Sequence, residues 1–260
     1  MDHGLAPLFN ACYHAARVPR SWQGSVLCPI YKQGARISPQ NYRLIALLDI
    51  EAKAYAQLLL KDLESWATAH NILPLYQTGF RPCGSTLDNV LALAYMVHRA
   101  TGPQHRPIYC CLVDYSAAFD KVDRGILWGK LRRWGIPDQL LAAIISLYSD
   151  TWVRVKLSHL FLTPKIETSS GLKQGCVLAP LLFNLYMADL GPALENACLA
   201  PPKIGQFRLQ LLQYADDLVL LDQTKIGLQK ALDALHLYNV NNRLQLNVQK
   251  TKVIIFGKHP

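Results

Sequence analysis

Charge is scarce in this sequence. Asp, Glu, Lys and Arg together make up 17% of its 260 residues, against about a quarter in an average globular chain. Hydrophobic residues make up 51%. That excludes an intrinsically disordered chain, which holds too little apolar surface to offset the entropy of ordering. Long hydrophobic runs are missing as well. The most apolar stretch, Cys176 to Leu190, is interrupted by Pro180, Asn184 and Asp189 and is too short to cross a bilayer as a helix. Met1 to Asn10 lacks a basic start followed by an apolar core, so no secretory signal is read there. There are no internal repeats and no low-complexity tracts. The seven cysteines, Cys12, Cys28, Cys83, Cys110, Cys111, Cys176 and Cys198, never stand at the spacing of a zinc knuckle. Most have apolar neighbours and read as small core residues. An odd set of this kind fits a reducing, intracellular compartment, nucleus or cytoplasm, with no membrane partner.

What charge there is leans one way. Lys and Arg number 27 against 18 Asp and Glu, a formal net charge of +9. A basic surplus attracts polyanions over long range, so nucleic acid is a candidate partner. A solvated basic surface would have the same composition.

The periodicity alternates between helix and strand. Ala52, Tyr55, Leu59, Leu63 and Trp66 recur at helical spacing and predict one apolar stripe. Leu87, Val90, Ala94 and Val97 predict a second. Leu140, Leu141, Ile144, Ile145 and Tyr148 predict a third, behind the start signal Pro137-Asp138. Leu228, Ala231, Leu232, Leu235 and Tyr238 predict a fourth. Ile108 to Val113 is almost wholly apolar, as a buried central strand should be. Leu209 to Gln213 and Leu218 to Leu221 flank Tyr214-Ala215-Asp216-Asp217 as a hairpin, and Lys252 to Phe256 reads as a last strand. Short strands are expected near Ser25 to Tyr31 and Leu44 to Leu48. From residue 108 onward the order is β-α-β-β-α-β, an α+β split sheet with helices on one face. A boundary is expected near Gly102 to Pro107, dividing a mainly helical region 1–107 from a sheet region 108–260.

Two acidic sites stand out within that frame. Asp114 ends the apolar strand, and Asp216 and Asp217 sit at the hairpin tip. A carboxylate at the end of a buried strand is costly unless something neutralises it. Bound divalent cations do so, and two metals about 3.5–4 Å apart stabilise the attacking and leaving oxygens of a phosphoryl transfer. A lone Asp-Asp pair would otherwise read as a solvated turn. The second, independent strand ending in Asp weakens that reading.

These segments, Leu112 to Asp120 and Tyr214 to Asp217, resemble motifs A and C of reverse transcriptases. Between them Gly171 to Asn184 resembles motif B, a glycine-containing turn that leads into a helix. Ile30-Tyr31-Lys32 and Asn41 to Leu47 are similar to the fingers motifs, and Tyr76-Gln77-Thr78-Gly79-Phe80-Arg81 follows in family order. Leu244 to Lys252 is similar to motif D. The combination most resembles non-LTR (LINE-type) retrotransposons, with group II intron enzymes as cousins. Leu44 and Ala46 depart from the family's usual Pro and Ser, and Ala179 from its usual Ser before the motif B proline.

The resemblance implies a right-hand polymerase palm over residues 108–260 and a partial fingers subdomain over 1–107. The thumb is expected to be absent, because the family continues into the primer grip and thumb beyond this point. The implied activity is RNA-directed DNA polymerase, adding dNTPs to a DNA primer on an RNA template with two Mg²⁺ ions. Asp114, Asp216 and Asp217 would hold the metals. Lys32 and Arg43 would grip the triphosphate, and Gln174 would lie near the incoming nucleotide. Phe119, five residues after Asp114, matches an aromatic steric gate that rejects a 2′-hydroxyl. Outside the motif it would read as a core Phe. Lys250 matches a motif D lysine suggested to protonate the leaving pyrophosphate, with Lys252 as its neighbouring competitor. Asp120, Asp123 and Arg124 are expected to be structural, for instance in capping a helix that begins near Arg124. Lys130, Arg132 and Arg133 could touch nucleic acid or face water.

An RNA-dependent RNA polymerase has a similar palm but typically a second Asp where this chain has Phe119. A truncated, inactive remnant that at most binds nucleic acid is the other alternative. Protein partners are not legible.

Overall fold

A computed structural model describes residues 4–81, 84–102, 106–158 and 161–257. Cys83, the middle of the expected boundary at Gly102 to Pro107, and the first and last three residues lie outside that set. In chain order the elements are α1 (Leu5–Ala15), α2 (Arg20–Gln23), β1 (Gly24–Tyr31), a 3-10 turn (Pro39–Asn41), β2 (Tyr42–Leu47), α3 (Ile50–Ala69) and α4 (Thr86–Thr101). There follow β3 (Ile108–Val113), α5 (Arg124–Arg133), α6 (Asp138–Tyr148), β4 (Trp152–Val155) and β5 (Ile166–Glu167). The rest is α7 (Ala179–Met187), α8 (Leu190–Leu194), β6 (Lys203–Ile204), β7 (Phe207–Arg208), β8 (Leu211–Tyr214), β9 (Asp217–Asp222), α9 (Lys225–Asn241) and β10 (Lys252–Phe256).

The elements gather into two compact units, each assembled from two segments of the chain. One holds residues 1–70 and 123–182, the other 71–122 and 183–260.

In the first unit, β1 lies between β2 and β4 in a sheet of order β2-β1-β4-β5. The stripe on α3 is buried as its spacing predicts, with Ala52, Tyr55, Leu59, Leu63 and Trp66 all in the core. Tyr55 meets Phe9 of α1 and Trp22 of α2, each at 5.6 Å between ring centroids, an aromatic arrangement that adds to simple area burial. Asp123 caps α5, its Oδ1 accepting the Ile126 N–H at 2.9 Å. Arg124 is buried and gives its guanidinium protons to neutral oxygens: Gly171 O, Tyr148 O, Thr151 Oγ1, Thr168 O and Ser170 O, at 2.8–3.3 Å. Burial pushes its pKa down, but the ring of acceptors keeps a charged group tolerable there. Of the expected basic cluster on α5, Lys130 is buried, and only Arg132 and Arg133 are exposed.

The second unit is built on an antiparallel sheet of order β10-β3-β9-β8. Central strand β3 is apolar throughout because both of its faces are covered. Ile108 and Cys110 pack with Leu212 and Leu221 against Met96 and Ala100 of α4. The alternate residues Tyr109, Cys111 and Val113 are equally buried, on the side where α9 meets β3 and β9. Thus α9 lies on one face, and α4, which precedes the sheet in sequence, covers the other. The stripe expected on α4 is corrected by this packing. Leu87 and Val90 are each 58% exposed, whereas Met96 and Ala100 are buried. The helix is apolar on most of its sides, so spacing alone could not select the face that meets the sheet.

Candidate active site

The sheet of the second unit ends in carboxylates. β3 pairs with β9 in the register Val113–Leu218, and one further step sets Asp114 opposite Asp217. β8 and β9 close through the Tyr214–Asp217 pair, leaving Ala215 and Asp216 as a two-residue turn. Ala215 has φ +56°, a conformation that costs a non-glycine residue about 1–2 kcal/mol. Strain of this kind is found at functional sites when the surroundings enforce it.

Asp217 carries the electrostatic signature of the pair. Its carboxyl pKa is raised, first by burial and second by the negative charge of Asp114. On the other side of Asp114, Lys250 Nζ stands 3.9 Å from Oδ2. Lys250 is well exposed, so this contact adds little stability, but it sets a cation beside Asp114.

The segment that carries Lys250 is fastened to Asp114 through the backbone. Asp114 O accepts the Asn247 N–H at 2.8 Å, and Ser116 N donates to Gln245 O at 2.8 Å. Thr251 Oγ1 accepts the Asp114 N–H at 3.3 Å. Lys252 is directed elsewhere, its Nζ donating to Gln249 O at 2.7 Å. Of the two lysines, Lys250 is the one that stands beside Asp114.

Phe119 is half-buried and stacks on Phe183, with ring centroids 4.5 Å apart and planes 17° from parallel. In the first unit, Lys32 and Arg43 belong to the β1–β2 hairpin. Arg43 pairs with Ile30, and Lys32, two residues after Ile30, shares that face. Both are exposed. Gln174 O accepts the Ala46 N–H at 2.6 Å, so the motif B turn leans on β2. Gly175 makes this approach possible: its φ is +118°, and a Cβ there would sit 2.5 Å from Ala46 O.

Asp114, Asp217 and Lys250 are therefore brought together, with Asp216 next to them in the turn. Lys32 and Arg43 form a separate cationic face within the first unit. Among the described residues no three His, Cys, Asp or Glu side chains already close on one point as a metal cage. The donor chemistry nevertheless suits a hard divalent cation, because all the acids offer oxygen and because Asp114 and Asp217 repel each other. Sequence reasoning gave no role to Asn247, Thr251 or Gln77, although all three lie inside the quoted motifs. Their contacts here run through the backbone or across long sequence separations, which side-chain type does not reveal.

Comparison with known proteins agrees with this geometry. Residues 30–258 match the family model described as reverse transcriptase (RNA-dependent DNA polymerase). The chain is 30% identical over 256 residues to a probable RNA-directed DNA polymerase from transposon BS of Drosophila melanogaster, covering 95% of this chain and 27% of that protein. It is 27% identical over 236 residues to a Pol polyprotein from type-1 retrotransposable element R2 of Nasonia vitripennis, covering 89% of this chain and 22% of that protein. The chain thus spans about a quarter of the length of these relatives, which are polymerases of non-LTR retrotransposons. Among solved structures, apo telomerase from Candida tropicalis truncated from its C-terminal domain aligns with a TM-score of 0.65 at 13% identity, covering 98% of this chain and 55% of that one. Telomerase from Candida albicans in complex with a fragment of telomeric RNA aligns with a TM-score of 0.60 at 10% identity, covering 96% of this chain and 45% of that one. These structural likenesses show a shared right-hand polymerase fold. The acids at the sheet end, the ordered motifs and the family match across most of its length establish that this chain belongs to the reverse transcriptase (RNA-dependent DNA polymerase) family.

Proposed function

We propose that this chain catalyses RNA-directed DNA synthesis, extending the 3′-hydroxyl of a DNA primer with dNTPs on an RNA template. Residues 1–107 serve as fingers and 108–260 as palm. The observation that carries the reading is Asp114 set opposite Asp217 across β3 and β9, with Lys250 3.9 Å from Asp114. Family members use divalent metal ions, and Asp114, Asp216 and Asp217 are the residues that would hold two Mg²⁺. When bound, such ions activate the attacking hydroxyl and stabilise charge on the leaving oxygen.

The other roles follow from the side chains. Lys250, exposed and beside the acids, is positioned to give a proton to the departing pyrophosphate. Lys32 and Arg43, exposed on one face of the β1–β2 hairpin, bind the triphosphate through charge-assisted hydrogen bonds. Gln174 orients the incoming nucleotide. Phe119, its ring braced on Phe183, has the rigidity a steric gate needs against a 2′-hydroxyl. An RNA polymerase reading is not favoured, because that position would call for a polar contact to the same hydroxyl. The family match and intact acids leave the inactive-remnant reading unfavoured as well. Among the described residues no helix is long and apolar enough to cross a membrane.

The test is primer extension on poly(rA)/oligo(dT) with Mg²⁺. Incorporation of dTMP that disappears in Asp114→Asn is the expected result. A folded chain that binds the duplex yet incorporates no more than Asp114→Asn would overturn the reading.

A further inference from the structure

The turn that carries Asp216 does not hold itself. Ala215 occupies φ +56° without being glycine, and a two-residue turn offers few contacts of its own. The restraint comes from a segment whose Gln77 stands 138 positions before Ala215. Gln77 meets Gln213 of β8 in an isolated parallel bridge. Gln213 N donates to Tyr76 O at 2.9 Å, and Thr78 N donates to Gln213 O at 3.0 Å. Between these two bonds the Gln77 side chain, 1% exposed, turns toward the catalytic hairpin. Its Oε1 accepts the Ala215 N–H at 3.0 Å, and its Nε2 donates to Ala215 O at 3.4 Å. The same Oε1 accepts the Gly79 N–H at 2.9 Å. Gln213 Nε2 completes the clamp by donating to Ala215 O at 2.9 Å.

One buried amide thus fixes both peptide planes that flank Ala215. The second of those planes carries the backbone nitrogen and Cα of Asp216, so the clamp sets the point from which its carboxylate projects. Gly79 is part of the device. A Cβ there would sit 2.5 Å from Ala215 N, so a larger residue would push the turn off the amide. Asn184 Nδ2 donates to Gly79 O at 2.7 Å and anchors the clamp from α7.

We propose that Gln77 is a positioning residue of the polymerase site: its side-chain amide holds the strained Ala215 turn and so presents Asp216 for metal binding. The consequence for metal rests on the polymerase reading above, but the clamp itself can be tested apart from it. Buried partners of metal-binding carboxylates typically change affinity about 10–100-fold when removed.

The experiment uses two readouts on the purified chain. Residue-resolved amide exchange by ¹⁵N NMR is measured in the unmodified chain and in Gln77→Met, an apolar replacement of similar length. In the unmodified chain the Ala215 N–H should exchange as slowly as that of Leu221 of β9, which is buried and donates to Gln210 O just before β8. In Gln77→Met the amides of Ala215 and Gly79 should exchange about tenfold faster, the equivalent of one lost hydrogen bond. Those of Gln213, Thr78 and Leu221 should be unchanged, which a general loss of packing would not reproduce. Mn²⁺ titration followed by electron paramagnetic resonance should give a dissociation constant at least about tenfold weaker for Gln77→Met. A folded Gln77→Met chain with unchanged Mn²⁺ affinity overturns the positioning role. If the variant does not fold, the unmodified chain still decides: an Ala215 amide exchanging at the rate of an exposed loop refutes the clamp. An unmodified chain with a protected Ala215 but no Mn²⁺ binding would instead refute the metal reading and leave the clamp standing.

Discussion

Replacing Asp217 with Asn should stabilise the chain in the absence of divalent cations, and this outcome can be worked from the strand register. Asp114 and Asp217 are cross-strand neighbours one step beyond the Val113–Leu218 pair, so their carboxylates lie on the order of 5 Å apart. Two like charges at that distance repel by about 3 kcal/mol at an effective dielectric of 20, and by less than about 1 kcal/mol in bulk water. Asp217 keeps much of its surface in water although the sheet end desolvates part of its carboxyl, Asp114 is half-buried, and Lys250 offsets part of the negative charge. Solvent screening therefore brings the net cost down to about 1 kcal/mol. For a domain of this size that corresponds to about 2–4 °C in Tm. The assay is thermal unfolding at pH 7, first in EDTA and then with Mg²⁺. In EDTA, Asp217→Asn should melt higher than the unmodified chain by that margin. Added Mg²⁺ should raise the unmodified chain and narrow or reverse the gap, because a ligand that binds only the folded state stabilises it. The pH dependence has a definite sign. Asp217 has a folded pKa raised above its unfolded value, through burial and then through Asp114. Its charged form is thus penalised in the fold at pH values above that raised pKa. The penalty is lost as pH falls through it, so the advantage of Asn should vanish on acidification. An Asn variant that melts lower in EDTA, or a cation effect equal in both chains, would refute the reasoning.

Two further outcomes follow from other contacts. Phe119→Val removes the ring that stacks on Phe183 and should lower discrimination against ribonucleotides by about 10–100-fold, read as the ratio of kcat/KM for dTTP and UTP; an unchanged ratio would remove Phe119 from the gate. Arg124→Met strips the buried donor from the carbonyls of Gly171, Tyr148, Thr168 and Ser170 and should cost about 3–5 kcal/mol in urea unfolding, whereas a loss below about 1 kcal/mol would show that water replaces the guanidinium.

The acids at the sheet end were legible because the signals that place them are local. Ile108–Val113 and Lys252–Phe256 are strands with the bounds their apolar runs predict, and a run that ends in Asp delivers the acid to the sheet edge whatever lies around it. The α3 stripe was legible for a similar reason, since a helix with one apolar face has one way to be buried. On α4 the apolar residues surround the helix, so burial was decided by Ile108, Cys110 and Leu221, which are distant in sequence. The division of the chain into two interleaved units has the same origin: β4, from residues 152–155, pairs in parallel with β1, from residues 24–31, and no local composition announces that pairing.

Gln77 marks where this limit matters for function. In the sequence it is a polar residue between Tyr76 and Thr78, indistinguishable from a loop glutamine. Its motif could be set in family order but given no task, because the task lies 138 residues away at Ala215. Yet the need for such a residue follows from the turn alone. Glycine at 215 would meet φ +56° without strain, but it would also let the turn sample other conformations. Alanine narrows those choices, and something outside the hairpin must then stabilise the conformation it disfavours. A buried side chain with one acceptor and one donor, matched to one N–H and one C=O, is the smallest group that can do this. The precision of Asp216 is thus assembled from a residue that limits the turn and a distant amide that selects among what remains.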